Sequence, residues 1–232
     1  MARPRTPKGR ARETFERLTP LYPGTAQELC ELDHVSPFQL AVATILSAQT
    51  TDARVNTVTP VLFAKWPDPQ ALAGADIGEL EEVLHPTGFF RQKAKSVQGM
   101  ARILLDEHGG EVPTELADLV KLPGIGRKTA NVIRSVAFGL PGLPVDTHVL
   151  RLSVRLGLTD ETDPVKVEHA LGALLTPRDW GLFSERVILH GRRVCDARQP
   201  NCEECVLNDF CPSAFKAELA GRKPPRPPRK RT

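Results

Sequence analysis

Nowhere in the 232 residues is there an apolar run long enough to cross a bilayer. The longest, around Phe38 to Ala48, falls well short of the ~20 residues that a spanning helix needs. The basic N-terminus is not followed by an apolar segment, so neither export nor a membrane partner is expected. No stretch alternates apolar and polar residues between turn signals, the usual mark of a half-buried strand, and no internal repeat is evident. A uniformly positive surface is missing as well. Net charge is only +3, and it is unevenly spread. Residues 1–12 hold five Lys or Arg (Arg3, Arg5, Lys8, Arg10, Arg12) and no acid, and residues 221–232 hold six (Arg222, Lys223, Arg226, Arg229, Lys230, Arg231) and no acid. The body between them has 28 acidic residues against 20 basic, so any nucleic-acid site on it must be a local patch, with the arms adding non-specific phosphate attraction.

What is present reads as helix. The hydrophobic share, 41%, is enough for a real core in a soluble chain. Ser36-Pro37 is an N-cap followed by proline at the first helical position, and Phe38, Ala41, Val42, Ile45 and Leu46 then recur at helical spacing. Thr51 and Asp68 cap further helices. Ala94, Val97, Ala101, Leu104 and Leu105 form one stripe between Arg91 and His108, Asp163-Pro164 opens a late helix, and Trp180 to Val194 gives another. The fold class is all-α. The break Gly139-Leu140-Pro141-Gly142-Leu143-Pro144 separates two helical blocks. Residues 1–10 and 216–232 are expected to be disordered basic arms, because neither can build a core.

Four of the five cysteines cluster as C-x6-C-x2-C-x5-C: Cys195, Cys202, Cys205 and Cys211. A loop this short brings four thiolates to one metal centre at small entropic cost. Disulfides suit a secreted chain, and nothing here suggests secretion. Only Cys202 and Cys205 form the close pair common in zinc sites; the wide outer spacings fit an iron–sulfur cluster better, with four-thiolate zinc as the rival. Cys30 reads as a small buried hydrophobe.

The stretch Leu122-Pro123-Gly124-Ile125-Gly126-Arg127-Lys128 lies between a short helix, expected to be capped by Thr114, and a second helix with Ala130, Ile133 and Ala137 on its inner face. Two glycines let a backbone approach a ligand closely, and amides at a helix N-terminus favour an anion such as DNA phosphate. Lys128 falls opposite Ala130 and Ile133, away from the core face. To act as an amine nucleophile it must lose a proton against a reference pKa of about 10.4, which positive neighbours and desolvation both favour. Asp146, in Asp146-Thr147-His148, reads first as an N-cap and His148 as a structural group or phosphate contact.

Taken together, Leu122 to Ala130, then Pro144 to His148, then the cysteine loop, with Leu46-Ser47-Ala48-Gln49-Thr50-Thr51-Asp52 before them, resemble endonuclease III of the helix-hairpin-helix glycosylase superfamily. The likeness runs from about residue 12 to 215. It implies a six-helix barrel domain with the helix-hairpin-helix over 30–140, and an iron–sulfur domain from 11–29 and 141–215, with DNA in the cleft between them. It implies a [4Fe–4S] cluster on Cys195, Cys202, Cys205 and Cys211, Lys128 attacking C1′ of the damaged nucleotide, and Asp146 assisting. It implies DNA contacts at Leu122, Gly124, Ile125, Gly126, Arg127 and His148. Gln49 would fill the gap left by a flipped nucleotide, and Phe89, where the family often carries leucine, would be the apolar wedge. The implied function is a bifunctional glycosylase/AP lyase acting on damaged, oxidised pyrimidines in duplex DNA, a monomer in the cytoplasm of a bacterium at the nucleoid. Two other readings differ from it. A mismatch adenine glycosylase generally lacks the lysine, and a non-catalytic DNA-binding iron–sulfur protein needs none of Lys128, Asp146 and Gln49.

Overall fold

In a computed structural model, residues 4–216 are described, and no strand occurs among them. The helices are α1 (Pro7–Leu18), α2 (Ala26–Leu29), α3 (Pro37–Leu46), α4 (Asp52–Lys65), α5 (Pro69–Ala73), α6 (Ile77–Leu84), α7 (Phe90–His108), α8 (Leu116–Leu119), α9 (Arg127–Val132), α10 (Thr147–Arg155), α11 (Pro164–Leu174) and α12 (Trp180–Arg193). None is long and apolar enough to cross a membrane. The described residues form two compact units, one of residues 24–144 with 177–185, the other of residues 4–23, 145–176 and 186–216.

The larger unit is built around α3, which is apolar nearly all round: Phe38, Leu40, Ala41, Val42, Ala43, Ile45 and Leu46 are all buried. A helix without a polar face belongs at the centre of a core. Its start is set by Ser36, whose hydroxyl accepts from the Gln39 amide, and by Pro37 behind it. Thr51 and Asp68 cap α4 and α5 in the same manner. The stripe expected on α7 is buried at Ala94, Val97, Ala101 and Leu104, while Leu105 is only half-buried. Gly109, at φ 61°, ends that helix. Cys30 lies half-buried against this core.

One expectation here is corrected. The N-cap of α8 is Glu115 rather than Thr114, and it makes no side-chain cap bond; the Thr114 carbonyl instead accepts from Arg134. After Val132 the second hairpin helix widens into a π-helical turn over Ile133–Ala137. The Ser135 hydroxyl donates to the Asn131 carbonyl at 2.9 Å, as Thr44 and Ser153 do to the carbonyls four residues before them in α3 and α10. Ile133, Ser135 and Val136 are buried, and Ala137 packs half-buried against the core, on the inner face as expected.

The smaller unit packs α1 against α11, and α11 against α10. Helix α1 begins at Pro7 behind a Thr6 cap, inside the stretch expected as a disordered arm. Arg10 is the reason: its guanidinium donates to the carbonyls of Arg5 and Gly157, which draws the basic segment onto the body. Arg17 ties the same helix to the cysteine region, donating to Asp209 at 2.6 Å and to the Val206 carbonyl at 2.8 Å. The expected C-terminal arm from 217 on lies outside the described residues.

Candidate functional site

The hairpin turn is held by its own side chains. Leu122 and Ile125 are buried in the core of the larger unit, and the Ile125 amide donates to the Leu122 carbonyl at 3.0 Å. Gly124 stands at φ 82°, and a Cβ there would lie 3.0 Å from Ser96 Cβ and 3.1 Å from Ile45 Cγ2. Gly126, the N-cap of α9, has an ordinary extended backbone at φ −91°, and a Cβ there would meet nothing within 4 Å. Arg127, Lys128 and Gly126 are exposed, while Ala130 and Ile133 on the same chain segment are buried. The lysine thus stands on the open side of the hairpin, as its spacing predicts.

A second cluster in the larger unit joins two loops distant in sequence. Gln49 and Phe89 both adopt left-handed backbone, at φ 56° and 48°. Only one other non-glycine, Phe215, does so among the described residues. Such geometry costs a non-glycine residue about 1–3 kcal/mol and persists only where its surroundings enforce it. Gln49 is exposed and Phe89 holds 67% of its surface in solvent, an unusual setting for a large ring. Behind them the Thr50 hydroxyl donates to the Thr87 carbonyl. The Lys93 ammonium donates to Thr50 Oγ1 and to the Thr87 carbonyl, both at 2.8 Å. Burial lowers the Lys93 pKa below the ordinary lysine value. Nothing in the sequence pattern singles out Lys93.

In the smaller unit, Asp146 caps α10. Its Oδ1 accepts from the amides of His148 and Val149, at 2.7 and 2.8 Å. His148 is half-buried, and burial holds its imidazole below the usual range. Arg151 Nη2 lies 3.1 Å from His148 Nδ1. A guanidinium can only donate, so that nitrogen is the acceptor of a neutral ring.

All four clustered cysteines line one cavity, together with Leu152, Arg155, Leu156, His190 and Leu207. No disulfide joins any of the five cysteines. The four thiols thus share one space, and four thiolates are the donor set of an iron–sulfur cluster. Burial pushes the Cys205 thiol up to about 11 and moves Cys211 in the same direction, so free thiolates are disfavoured and metal charge must offset the cost.

The walls of this cavity were not legible beforehand. Arg155, 1% exposed, donates to the carbonyls of Asp196 and Ala197 at 2.7 and 2.9 Å, and its Nη1 lies 3.3 Å from Cys195 Sγ. His190 Nε2 is 3.3 Å from Cys205 Sγ, its Nδ1 is 3.4 Å from the Tyr22 hydroxyl, and burial drives its pKa down to about 4. Asp196 Oδ1 accepts from the amides of Arg198 and Gln199, folding the start of the loop. Arg192, Arg193 and Arg198 are all exposed.

Residues 42–177 match the family described as HhH-GPD superfamily base excision DNA repair protein, and residues 195–211 match the iron-sulfur binding domain of endonuclease III. The chain is 55% identical to endonuclease III of Synechocystis sp. over 208 residues, covering 89% of this chain and 94% of the relative. Among solved structures it is similar to a non-covalent endonuclease III–DNA complex, with TM-score 0.84 and 40% identity over 90% of this chain and 97% of that one. A trapped endonuclease III–DNA covalent intermediate, an estranged-adenine complex, matches with TM-score 0.83 at the same identity and coverage.

Proposed function

The chain belongs to the endonuclease III family within the HhH-GPD superfamily of base excision DNA repair proteins, and on that premise we propose how its residues divide the work of a bifunctional DNA glycosylase and AP lyase. The 24–144 unit is the barrel domain that carries the helix-hairpin-helix; the other unit is the iron–sulfur domain. The substrate is an oxidised pyrimidine in duplex DNA. A stacked base is out of reach, so the nucleotide must leave the helix, at a cost of a few kcal/mol that is smaller for a poorly stacked lesion. Phe89 enters the stack as a wedge and Gln49 fills the vacated space. Amides of Gly124 and Gly126 meet phosphate, with Arg127 and His148 as further backbone contacts, and these fix the position of the sugar. With their side chains in the core, Leu122 and Ile125 serve by shaping that turn.

The Lys128 amine then attacks C1′ as the bond from C1′ to the base breaks, its electron pair leaving with the base. The Asp146 carboxylate stabilises the positive charge that grows on the sugar and takes a proton from the amine. The cap bonds occupy Oδ1, and Oδ2 is the oxygen assigned to this work. The adduct's C1′–O4′ bond then breaks, O4′ taking a proton as the sugar ring opens, and the Schiff base so formed acidifies the C2′ proton. Its loss expels the 3′ phosphate by β-elimination and cuts the strand on the 3′ side. When bound, the [4Fe–4S] cluster supplies iron–thiolate bonds that cross-link the loop from Cys195 to Cys211. Those bonds hold Arg192, Arg193 and Arg198 where phosphate can meet them. On this reading the protein works in the cytoplasm, at the nucleoid, as a monomer.

One observation carries this reading: a lysine on the open face of the hairpin, two residues after a glycine whose own backbone geometry does not require glycine. The test is to incubate the protein with a duplex containing an abasic site and to add borohydride. A covalent adduct that is absent in Lys128→Ala supports the lyase. No adduct with the wild-type chain overturns it.

A further inference from the structure

The strained loops that carry Gln49 and Phe89 share one support. Lys93 lies in the first turns of α7, where the neighbouring Arg91, Gln92 and Lys95 all reach solvent more than it does. Lys93 turns inward, to 4% exposure. Its two acceptors, the Thr50 hydroxyl and the Thr87 carbonyl, are neutral oxygens. Burying an ammonium against neutral acceptors is a poor way to stabilise a fold, because an apolar side chain of similar length would fill the space without losing hydration. What the charge does provide is reach and strength. Thr50 immediately follows Gln49, and Thr87 lies two residues before Phe89. The same two residues also bond to each other, so one ammonium closes a three-centred link between the loops. Thr87 is fixed in turn by its own hydroxyl, which donates to the Leu84 carbonyl at 2.8 Å. Phe89 is fixed on its other side, where its carbonyl accepts from the amides of Gln92 and Lys93 at 3.1 Å.

We propose that Lys93 is a positioning residue for strand opening: by tying Thr50 to Thr87 it holds Gln49 and Phe89 at a set separation, in left-handed backbone, before DNA arrives. This rests on the gap-filling reading of those two residues. It adds that plug and wedge act as one preset pair and not as two independent contacts. Lys93 itself touches no DNA in this arrangement. Its effect passes wholly through the two loops.

The test uses Lys93→Met, which keeps the aliphatic length, and Thr50→Val, which removes the acceptor hydroxyl with little change of shape. Hydrogen exchange on the free protein reads the link directly. Amides of residues 48–50 and 88–90 should lose protection together in both variants, while those of the hairpin at 122–126 keep theirs. A duplex with a tetrahydrofuran abasic analogue, carrying 2-aminopurine opposite it, reads the opened strand. The fluorescence change seen on binding wild type should be lost in both variants. Affinity should fall roughly tenfold, the scale of one lost charge-assisted hydrogen bond. Adding Lys93→Met to Gln49→Ala/Phe89→Ala should cause no further fall. Thr50→Val carries the test if Lys93→Met does not fold. Loops that stay protected, or loosened loops with a wild-type fluorescence response, overturn the proposal. If Gln49→Ala and Phe89→Ala themselves leave the fluorescence unchanged, the gap-filling reading fails, a separate outcome that takes the proposal with it.

Discussion

Gly124 and Gly126 sit two residues apart in one turn, yet the fold asks for glycine at only one of them. Gly124 has positive φ and a Cβ there would press on Ser96 and Ile45, so Gly124→Ala should destabilise the protein by about 1–2 kcal/mol from backbone strain alone. Gly126 has ordinary dihedrals and open space where its Cβ would be. Gly126→Ala should leave the melting temperature near wild type and still weaken duplex binding by about 1–2 kcal/mol, because the methyl group would stand where a phosphate approaches. Thermal melts and a binding titration on the pair check this. Equal loss of stability in both variants would remove the phosphate explanation. The motif residues of this site were readable because chemistry confines them to a few types at fixed spacing: the four cysteines, the glycine pair, Lys128 and Asp146. Lys93 was not. Its sequence setting, Arg91-Gln92-Lys93-Ala94-Lys95, is that of a solvated helix face, and only the tertiary placement of Thr50 and Thr87 gives it partners.

Helix starts were legible for the same local reason. Ser36, Thr51, Asp68 and Asp163 each cap a helix with their own side chains, and such bonds are decided within three residues. Places where distant groups intervene were not legible. Arg134, from the second hairpin helix, takes the Thr114 carbonyl, and α8 then begins one residue later than expected. The π turn over Ile133–Ala137 likewise has no local signal among the apolar positions. Helix α10 offers a way to separate structure from chemistry, because Asp146 is both its cap and the proposed electrostatic partner of the sugar. Asparagine caps a helix as well as aspartate does, so Asp146→Asn should keep the melting temperature while base excision falls by about a hundredfold or more. Asp146→Ala should lose about 1 kcal/mol of stability in addition. Single-turnover excision measured beside thermal melts distinguishes them. Full activity in Asp146→Asn would reduce Asp146 to a cap.

For the molecule as a whole, charge is divided between an acidic body and basic ends. Part of the N-terminal share is committed to structure, since Arg10 bonds within the smaller unit. The six basic residues of 221–232 make the other share. A chain ending at residue 216 should bind duplex with a shallower dependence on salt. Every phosphate that the shortened chain no longer neutralises should take about 0.9 from the slope of log affinity against log salt. Titrations at several salt concentrations measure it, and an unchanged slope would leave those residues without a role on DNA. The all-helical class, the iron–sulfur loop and the family were all present in the sequence. The interior of the cysteine cavity was not, because Arg155 and His190 read as ordinary members of amphipathic helices until their burial is seen.

On the proposed wedge role, a ring held two-thirds in water on a backbone it would not choose would also change how intact DNA is searched. Each encounter along a healthy duplex would begin as a push of Phe89 against the base pairs, with no loop to be rebuilt between one site and the next. Firmly stacked pairs would resist and a weakened pair would yield. Discrimination would then be drawn from the mechanical softness of the lesion before any chemistry begins.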